Sequence, residues 1–226
     1  MANVIKITKG LNINLKGKAA AQVSDCQKSK VYGLVPDAFW GMKPKVVVKE
    51  GDDVKAGDAL FVDKLHPEVK FVSPVAGKVS LVERGDRRKV LSVQVEAAAE
   101  QAYVDFGKKN VASLSAEQVK SALLESGMFA FIVSRPYAVV ANPTDAPKAI
   151  FVSAIADMPL AADFDVVLKG NEADFQTGIE ALSKIAKVHL GVKPGSSLES
   201  TKAASVTAFS GKCPAGNVGV QINHVD

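Results

Sequence analysis

One lysine is the first candidate in this sequence for a residue that does chemistry. Lys64 follows Asp63 at the end of an apolar segment, and the chain then reaches the small-residue turn Ser73-Pro-Val-Ala-Gly77. A lysine amine on an exposed hairpin can form an amide with a prosthetic group, which then swings between partner sites. The first hypothesis is therefore a covalent carrier at Lys64.

The elements around Lys64 predict a small β-sandwich over residues 45–96. Segments 48–52 and 82–86 repeat one figure, an apolar residue and two charges before a Gly-Asp turn. Neighbouring segments alternate apolar and polar residues, as half-buried strands do. Two such halves build a pseudo-twofold sandwich, and the stretch resembles the barrel-sandwich hybrid of lipoyl and biotinyl domains.

The spacing after Lys64 argues against the carrier hypothesis. The insert Leu65-His-Pro-Glu68 lengthens the turn relative to typical carrier domains and puts Pro67 at its tip. Because turn length fixes hairpin geometry, a longer tip would not present Lys64 as a ligase expects. An ordinary hairpin lysine is favoured, and lipoyl- or biotin-type attachment at Lys64 remains the alternative.

A second group of residues suits a flat, conjugated ligand. Arg135-Pro136-Tyr137 combines a cation, a fixed turn and an aromatic ring after a predicted helix. A quinone-like ring could stack on Tyr137 while Arg135 polarises its carbonyl group. The competing interpretation makes Arg135 a helix cap and Tyr137 a core residue.

An aromatic loop is expected within residues 31–44. It holds two prolines, two glycines, Tyr32, Phe39 and Trp40, the only tryptophan of the chain. Aromatic side chains grouped on a surface loop indicate a docking surface. A loop folded onto the core explains the same composition equally well.

Other catalytic and metal-binding motifs are missing. The sequence has no GxGxxG, P-loop or GxSxG motif, so no catalytic residue is assigned. The loosely spaced glycines between Gly211 and Gly219 indicate a turn between strands rather than a phosphate loop. His189 is expected to be a satisfied core histidine. His224 and Asp226 supply only two ligands, so no metal site is predicted.

Composition predicts a soluble protein without affinity for nucleic acid. The 226 residues are 47% hydrophobic and carry a net charge of +4 from scattered basic residues. We expect no signal peptide and no transmembrane segment, since no apolar run approaches roughly 20 residues. Cys26 and Cys213 are expected to be free thiols in a reducing compartment.

Beyond the sandwich, the pattern predicts a doubly wound α/β domain. A capping box at Ser115 and Gln118 begins a helix that Gly127 ends, and Asn171 can cap a second helix. Buried strands alternating with helices favour a parallel sheet. They are predicted over residues 149–156, 165–170, 187–193 and 206–211.

Three consecutive domains are therefore expected. Residues 1–44 form an N-terminal strand, at residues 4–7, and an irregular arm. Residues 45–96 form the barrel-sandwich hybrid, and residues 97–226 form the Rossmann-like α/β domain.

Short motifs that follow one another along the whole chain carry a resemblance to one family. They are IKITKGL (5–11), GMKP (41–44), VKAGDALFVDK (54–64), PEVKFVSPVAG (67–77), RGDRRKVLSV (84–93), LESG (124–127), RPY (135–137), PLAA (159–162) and PAG (214–216). Their order and spacing resemble the N-terminal half of the A subunits of sodium-translocating NADH:quinone reductases. The insert after Lys64 is normal in that family. The family continues past the Asp226 position, so this chain is expected to be a shortened form, and Cys213 stands where the family usually has a histidine.

The resemblance implies a peripheral subunit on the cytoplasmic side of the inner membrane. Its complex would pass electrons from NADH to ubiquinone and export sodium, with the other subunits, especially the membrane subunits, as partners. The α/β fold is related to the flavin-bearing subunit of complex I, whose phosphate loop is rich in glycine. Ser134–Ala141 has no glycine there. FMN is therefore not expected, and no cofactor is expected to be bound covalently.

The resemblance also associates the family with quinone binding. Electron transfer itself would occur on cofactors of partner subunits. The scaffold interpretation, without any small-molecule site, remains beside the quinone and carrier hypotheses. The candidate quinone-binding residues are Phe39, Trp40, Met42, Arg135 and Tyr137.

Overall fold

The computed structural model describes residues 3–17 and 19–226. They form two compact units, and each unit is assembled from segments that are separate in the sequence. The α/β unit comprises Met1–Asp25, Asn110–Val119 and Ala146–Asp226, and the sandwich unit comprises Cys26–Lys109 and Lys120–Asp145.

Strands dominate the described residues, with four α-helices and short 3₁₀ turns among them. The strands are β1 (Asn3–Ile7), β2 (Val31–Leu34), β3 (Pro44–Val46), β4 (Asp53–Val54), β5 (Ala59–Asp63), β6 (Lys70–Val72), β7 (Gly77–Arg84), β8 (Val90–Ala97), β9 (Val133–Ser134), β10 (Val139–Val140), β11 (Ala149–Ala154), β12 (Lys187–Val192) and β13 (Ser205–Gly211). The helices are α1 (Ala116–Glu125), α2 (Phe164–Val167), α3 (Glu172–Ile185) and α4 (Val218–Val225). The 3₁₀ turns are Pro36–Ala38, Asp86–Arg88, Val111–Ser113, Met128–Phe131 and Ser197–Ser200.

The sandwich unit contains two antiparallel sheets, in the orders β2-β8-β7-β4 and β3-β5-β6. Leu60 and Phe61 are adjacent in β5, yet both are completely buried. Strand residues alternate between two faces, so β5 is covered on both of them. The barrel-sandwich hybrid predicted for this region is confirmed.

Some of the residues that bury the core of the sandwich unit lie outside the predicted segment 45–96. Phe129 and Ala130, in the 3₁₀ turn after α1, are buried in the same core as Phe61 and Phe71. Gly127 turns the chain toward this core with a φ of 76°, as expected for a glycine after a helix. Residues 120–145 therefore complete the core of the sandwich unit.

The Gly-Asp turns differ from the repeat seen in the sequence. The Lys49 N–H donates to Asp52 Oδ2 over 2.7 Å, and Gly51 between them has a φ of 91°. The segment 55–58 repeats this turn with the same 2.7 Å bond. Gly85 instead has a φ of −95°. The turn at 49–52 therefore has its structural counterpart at 55–58, and not at 82–86 as the sequence repeat suggests.

The α/β unit is built on a parallel sheet in the order β1-β13-β12-β11. The strands predicted near 149, 187 and 206 are present as β11, β12 and β13. Helix α3 packs against β12, and Ile179 is its buried residue. The capping box at α1 is also confirmed, because Ser115 N–H donates to Gln118 Oε1 over 2.9 Å and Gln118 N–H donates to Ser115 Oγ over 3.3 Å.

Two predicted strands are wrong. The first residues of the segment 165–170 belong to helix α2 rather than to a strand. Asp163 caps this helix, because its side chain accepts the Asp165 N–H over 3.0 Å. After β13, the chain turns and enters α4, capped by Asn217, whereas the turn expected at Gly211–Gly219 was to lead into another strand. Both errors arise where a short polar residue precedes an apolar stretch and its side chain stabilises a helix start.

The units also divide the chain differently from the three consecutive domains expected. Strand β1 pairs with β13 in the α/β sheet, with Ile5 opposite Phe209. Strand β2 pairs with β8, so the rest of the N-terminal arm belongs partly to the sandwich unit. Within the described residues, no helix has the length and apolar character that crossing a membrane requires.

Candidate functional site

The loop before β3 puts one aromatic ring inside the sandwich unit and one outside it. Phe39 packs edge-to-face on Phe71, with ring centroids 4.6 Å apart, and Met42 packs against the same core. Trp40, between them, is 71% exposed. Tyr32 lies in β2 and is half-buried. The expected surface group of three aromatic residues is therefore wrong for Phe39 and Tyr32 and right for Trp40.

Arg135 and Tyr137 lie at the turn of a short hairpin. Ser134 pairs with Val139 where β9 meets β10, and the peptide bond between Arg135 and Pro136 is cis. Both candidate side chains are exposed, Tyr137 by 83%. The core position considered for Tyr137 is therefore wrong, and Arg135 lies in the hairpin turn rather than at a helix end.

The structure brings this hairpin and the Trp40 loop together. The Val140 N–H donates to the Trp40 carbonyl oxygen over 2.8 Å. Gly41 has a φ of 86°, and a Cβ built on it would lie 2.5 Å from the Val139 Cβ. Only a glycine permits this backbone approach without displacing the hairpin. All five predicted quinone-binding residues thus belong to two loops that are hydrogen-bonded to each other.

A series of phenylalanine rings connects the sandwich core to this surface. Phe61 stacks on Phe71 with centroids 4.8 Å apart, and Phe71 contacts Phe39. Phe39 in turn meets Phe131 at 5.9 Å, edge to face, and Phe131 is 68% exposed. Because the inner rings are fully packed, they hold Phe39 and Phe131 in defined positions.

The grouping has parts that can bind a flat carbonyl compound. Arg135 carries a permanent positive charge and several N–H donors. Trp40 and Tyr137 carry exposed rings with faces suited to stacking. These are binding and orienting functions rather than bond-breaking ones.

Two residues of this surface had little in the sequence to mark them. Phe131 belongs to an apolar run in which nothing indicates which ring faces outward. The role of Gly41 depends on Val139, nearly a hundred positions away in the chain. A glycine directly after a tryptophan was the available signal, since glycine often marks close backbone approach.

Lys64 lies directly after β5, before the longer turn that joins β5 to β6. Its N–H donates to the Lys43 carbonyl oxygen over 2.7 Å. The buried carboxylate of Asp63 accepts the N–H groups of Lys43 and Leu65 through Oδ1. The backbone of Lys64 is thus fixed beside β3, and the tip of the turn belongs to Pro67 and its neighbours.

The histidines do not form a metal or catalytic centre in the described part of the chain. His189 is half-buried and stacks on Phe151 with centroids 4.7 Å apart, but its buried Nδ1 lacks a hydrogen-bond partner among the described residues. The expectation of a satisfied histidine is therefore wrong. Partial burial and then the charge of Lys187 lower the pKa of His189, which favours the neutral ring.

The C-terminal His-x-Asp pair is engaged elsewhere. His224 Nδ1 lies 2.8 Å from the Val220 carbonyl oxygen, and Asp226 pairs with Lys148 over 2.5 Å. No group of three metal-ligating His, Cys, Asp or Glu side chains occurs among residues 3–17 and 19–226. Cys26 and Cys213 are both free thiols, as predicted.

Comparison with known families gives two matches that together cover most of the chain. Residues 5–98 match the family model described as the NqrA N-terminal barrel-sandwich hybrid domain. Residues 114–226 match the model described as the NqrA second alpha/beta domain.

Curated relatives agree with the family models. The chain is 37% identical over 227 residues to the A subunit of the Na⁺-translocating NADH-quinone reductase from Pseudomonas aeruginosa strain UCBPP-PA14. It is 35% identical over 229 residues to the protein of the same name from Yersinia pestis and 36% identical over 229 residues to that from Neisseria meningitidis serogroup A. Each match covers 99% of this chain and 51% of the relative. The chain therefore spans about half the length of these relatives, and it belongs to the NqrA family, the A subunits of Na⁺-translocating NADH-quinone reductases.

Proposed function

We propose that this chain is the N-terminal part of a peripheral A subunit on the cytoplasmic side of the inner membrane. Its complex oxidises NADH, reduces ubiquinone and pumps sodium, and its partners are the other subunits, the membrane subunits above all. Electrons move on cofactors that these partners carry. The family models and the names of the relatives support this assignment.

Within that complex, the sandwich unit contributes to ubiquinone binding. The observation that carries this role is the 2.8 Å hydrogen bond from the Val140 N–H to the Trp40 carbonyl oxygen, which joins the two candidate loops. Stacking on Trp40 or Tyr137 holds the quinone ring, and the Arg135 guanidinium donates to a quinone oxygen. Phe39 and Met42 support this surface from the core.

FMN does not fit the segment that, by the family resemblance, stands where the flavin-bearing subunit has its phosphate loop. Ser134–Ala141 contains no glycine, and the N–H groups of Val140 and Ala141 already donate to the carbonyl oxygens of Trp40 and Ile132. A phosphate cradle needs several unpaired backbone N–H groups that converge on one point. FMN is therefore not proposed as a ligand of this segment. The proposed substrate is ubiquinone, and no covalently bound cofactor is proposed.

The test compares exposed residues inside and outside the candidate surface in the assembled complex. Trp40→Ala and Arg135→Ala are expected to lower quinone reduction by about tenfold, through a raised KM. Tyr103→Ala is the aromatic control, because Tyr103 has the same 71% exposure as Trp40. Arg84→Ala is the cationic control, since Arg84 is an exposed residue of β7.

Unchanged quinone kinetics in both test variants would show that Trp40 and Arg135 do not bind quinone. That result would favour the scaffold interpretation. The carrier alternative has a separate readout. The intact mass of the chain from its native host is expected to match the unmodified sequence. A covalent adduct on Lys64 would overturn the account of that turn.

A further inference from the structure

A cleft of about 390 Å³ opens in the α/β unit, at the edge where its parallel strands end. Its walls come from the segments that follow β11 and β13, which end at Ala154 and Gly211. Ligands of open α/β sheets bind at this carboxyl edge, and the volume falls in the range of small-molecule sites. The glycine-rich segment after β13, expected to be no more than a turn, thus lines a cavity.

One carboxylate is fixed in the wall of this cleft. Asp157 Oδ2 accepts the Gly216 N–H over 2.7 Å. A Cβ at position 216 would lie 2.8 Å from Asp157 Oδ1 and 2.9 Å from the Ile155 carbonyl oxygen. Because only glycine allows this approach, Asp157 presents a negative acceptor in a defined position.

The start of α4 offers little to a phosphate group. The Gly216 N–H is taken by Asp157, and the Gly219 N–H donates to Asn217 Oδ1 over 2.8 Å. An anion would have to displace these acceptors and approach the carboxylate of Asp157. The cleft therefore favours an uncharged ligand over a phosphorylated one.

The remaining walls suit a flat ring with a hydrogen-bonding edge. Met158, Cys213 and Phe164 line the cleft, and the Met158 and Cys213 sulfur atoms lie 3.6 Å apart. Polarizable sulfur and aromatic carbon pack well against aromatic rings. Asn217 also lines the cleft and uses its carbonyl oxygen to accept the Gly219 N–H, which leaves its amide N–H₂ as a donor.

We propose that this cleft binds an uncharged heteroaromatic amine, with an adenine nucleoside as its representative. The ring amino group donates to Asp157, and the adjacent ring nitrogen accepts from the Asn217 amide. The ring itself packs against Met158 and Phe164. This site lies in the α/β unit and is independent of the quinone proposal.

Calorimetric titration of the 226-residue chain with adenosine and purine riboside tests the proposal. Purine riboside is the matched probe, because hydrogen replaces the amino group and leaves the Asp157 carboxylate without its donor. Adenosine is expected to bind with a dissociation constant below about 1 mM. Purine riboside is expected to bind about tenfold more weakly.

Asp157→Asn is expected to weaken adenosine binding about tenfold, while the asparagine oxygen can still accept the Gly216 N–H. The matched control is Asp105→Asn in the sandwich unit. Asp105 also accepts a backbone N–H, from Gly107 over 2.8 Å, but does not line the cleft. This control is expected to leave adenosine affinity unchanged.

Thiol protection locates the bound probe. In Cys26→Ser, Cys213 is the only cysteine left, and adenosine is expected to slow its alkylation by a maleimide. Three results would each overturn the proposal. They are an unchanged alkylation rate at high adenosine, equal affinity for purine riboside, and tighter binding of AMP than of adenosine.

Discussion

Gly41 is the residue on which the meeting of the two candidate loops depends. Its φ is 86°, and the position of its missing Cβ is only 2.5 Å from the Val139 Cβ. Real Cβ atoms do not approach this closely, so any side chain pushes the hairpin away or twists the Trp40 loop. The hydrogen bond from Val140 to Trp40 would be strained with it.

Gly41→Ala is therefore expected to lower the free energy of unfolding by about 2–4 kcal/mol, from backbone strain and steric overlap together. Gly51→Ala is the matched control. Gly51 has a φ of 91° but no atom within 4 Å of its Cβ position, so about 1 kcal/mol of strain alone is expected. Urea denaturation measures both, and equal losses would show that the contact with Val139 is not what constrains Gly41.

The same loop shows what residue types alone can and cannot predict. Arg135 and Tyr137 were candidates for a turn because proline between them fixes the backbone, and both are exposed. Phe39 and Trp40 are adjacent and equally aromatic, yet only Trp40 faces outward. Phe71 decides this difference by packing on Phe39, and sequence reasoning had no access to that contact.

At the scale of elements, helices and strands with strong local signals were predicted, whereas the short helix α2 was not. The 14-residue helix α3 and strands β11, β12 and β13 follow clear periodicity. Helix α2 has four residues and the apolar composition of a strand. Its helical state depends on the Asp163 cap and on the bonds that Asp165 makes to a distant loop, which no local pattern reveals.

The Asp165 side chain connects α2 to the turn before β13 by hydrogen bonds. Its Oδ1 accepts hydrogen bonds from the Ser196 hydroxyl and from the Ser197 N–H and hydroxyl, and Lys193 lies 3.1 Å from its Oδ2. Partial burial acts to raise the pKa of Asp165, but the hydrogen bonds from Ser197, Ser196 and Lys193 outweigh it and lower the pKa to about 2. The ionised carboxylate therefore stabilises the fold.

Because this folded-state pKa lies below the ordinary 3.8, the stabilisation is fully present above pH 3.8 and is lost as pH falls through about 2. Asp165→Ala is expected to cost about 1–3 kcal/mol at pH 7. The difference from the unmutated chain should shrink in urea titrations run at successively lower pH between 4 and 2. Asp145→Ala, at an exposed loop position, is the control with little expected change, and a cost for Asp165→Ala that is constant over this range would contradict the assignment.

At the scale of the whole molecule, the sequence predicted both fold types but not how the chain is shared between them. Each kind of module was recognisable from its own periodicity, and the family models match them in the expected order. The crossing of β1 into the α/β sheet and of residues 120–145 into the sandwich unit depends on long-range packing. A linear pass along the chain has no signal for such exchanges.

Because residues 120–145 complete the core of the sandwich unit, we expect strands β2 to β8 to be unstable without them. A fragment of residues 26–145 is expected to unfold cooperatively in urea, whereas residues 26–109 alone should not, because they leave the Phe61 and Phe71 core without Phe129 and Ala130. In the complete chain, Phe129→Ala is expected to cost about 3–5 kcal/mol. Phe131→Ala is the matched control two residues later, since that ring is 68% exposed against 6% for Phe129, and it should cost under about 1.5 kcal/mol. A 26–109 fragment as stable as 26–145 would show that strands β2 to β8 bury a sufficient core by themselves.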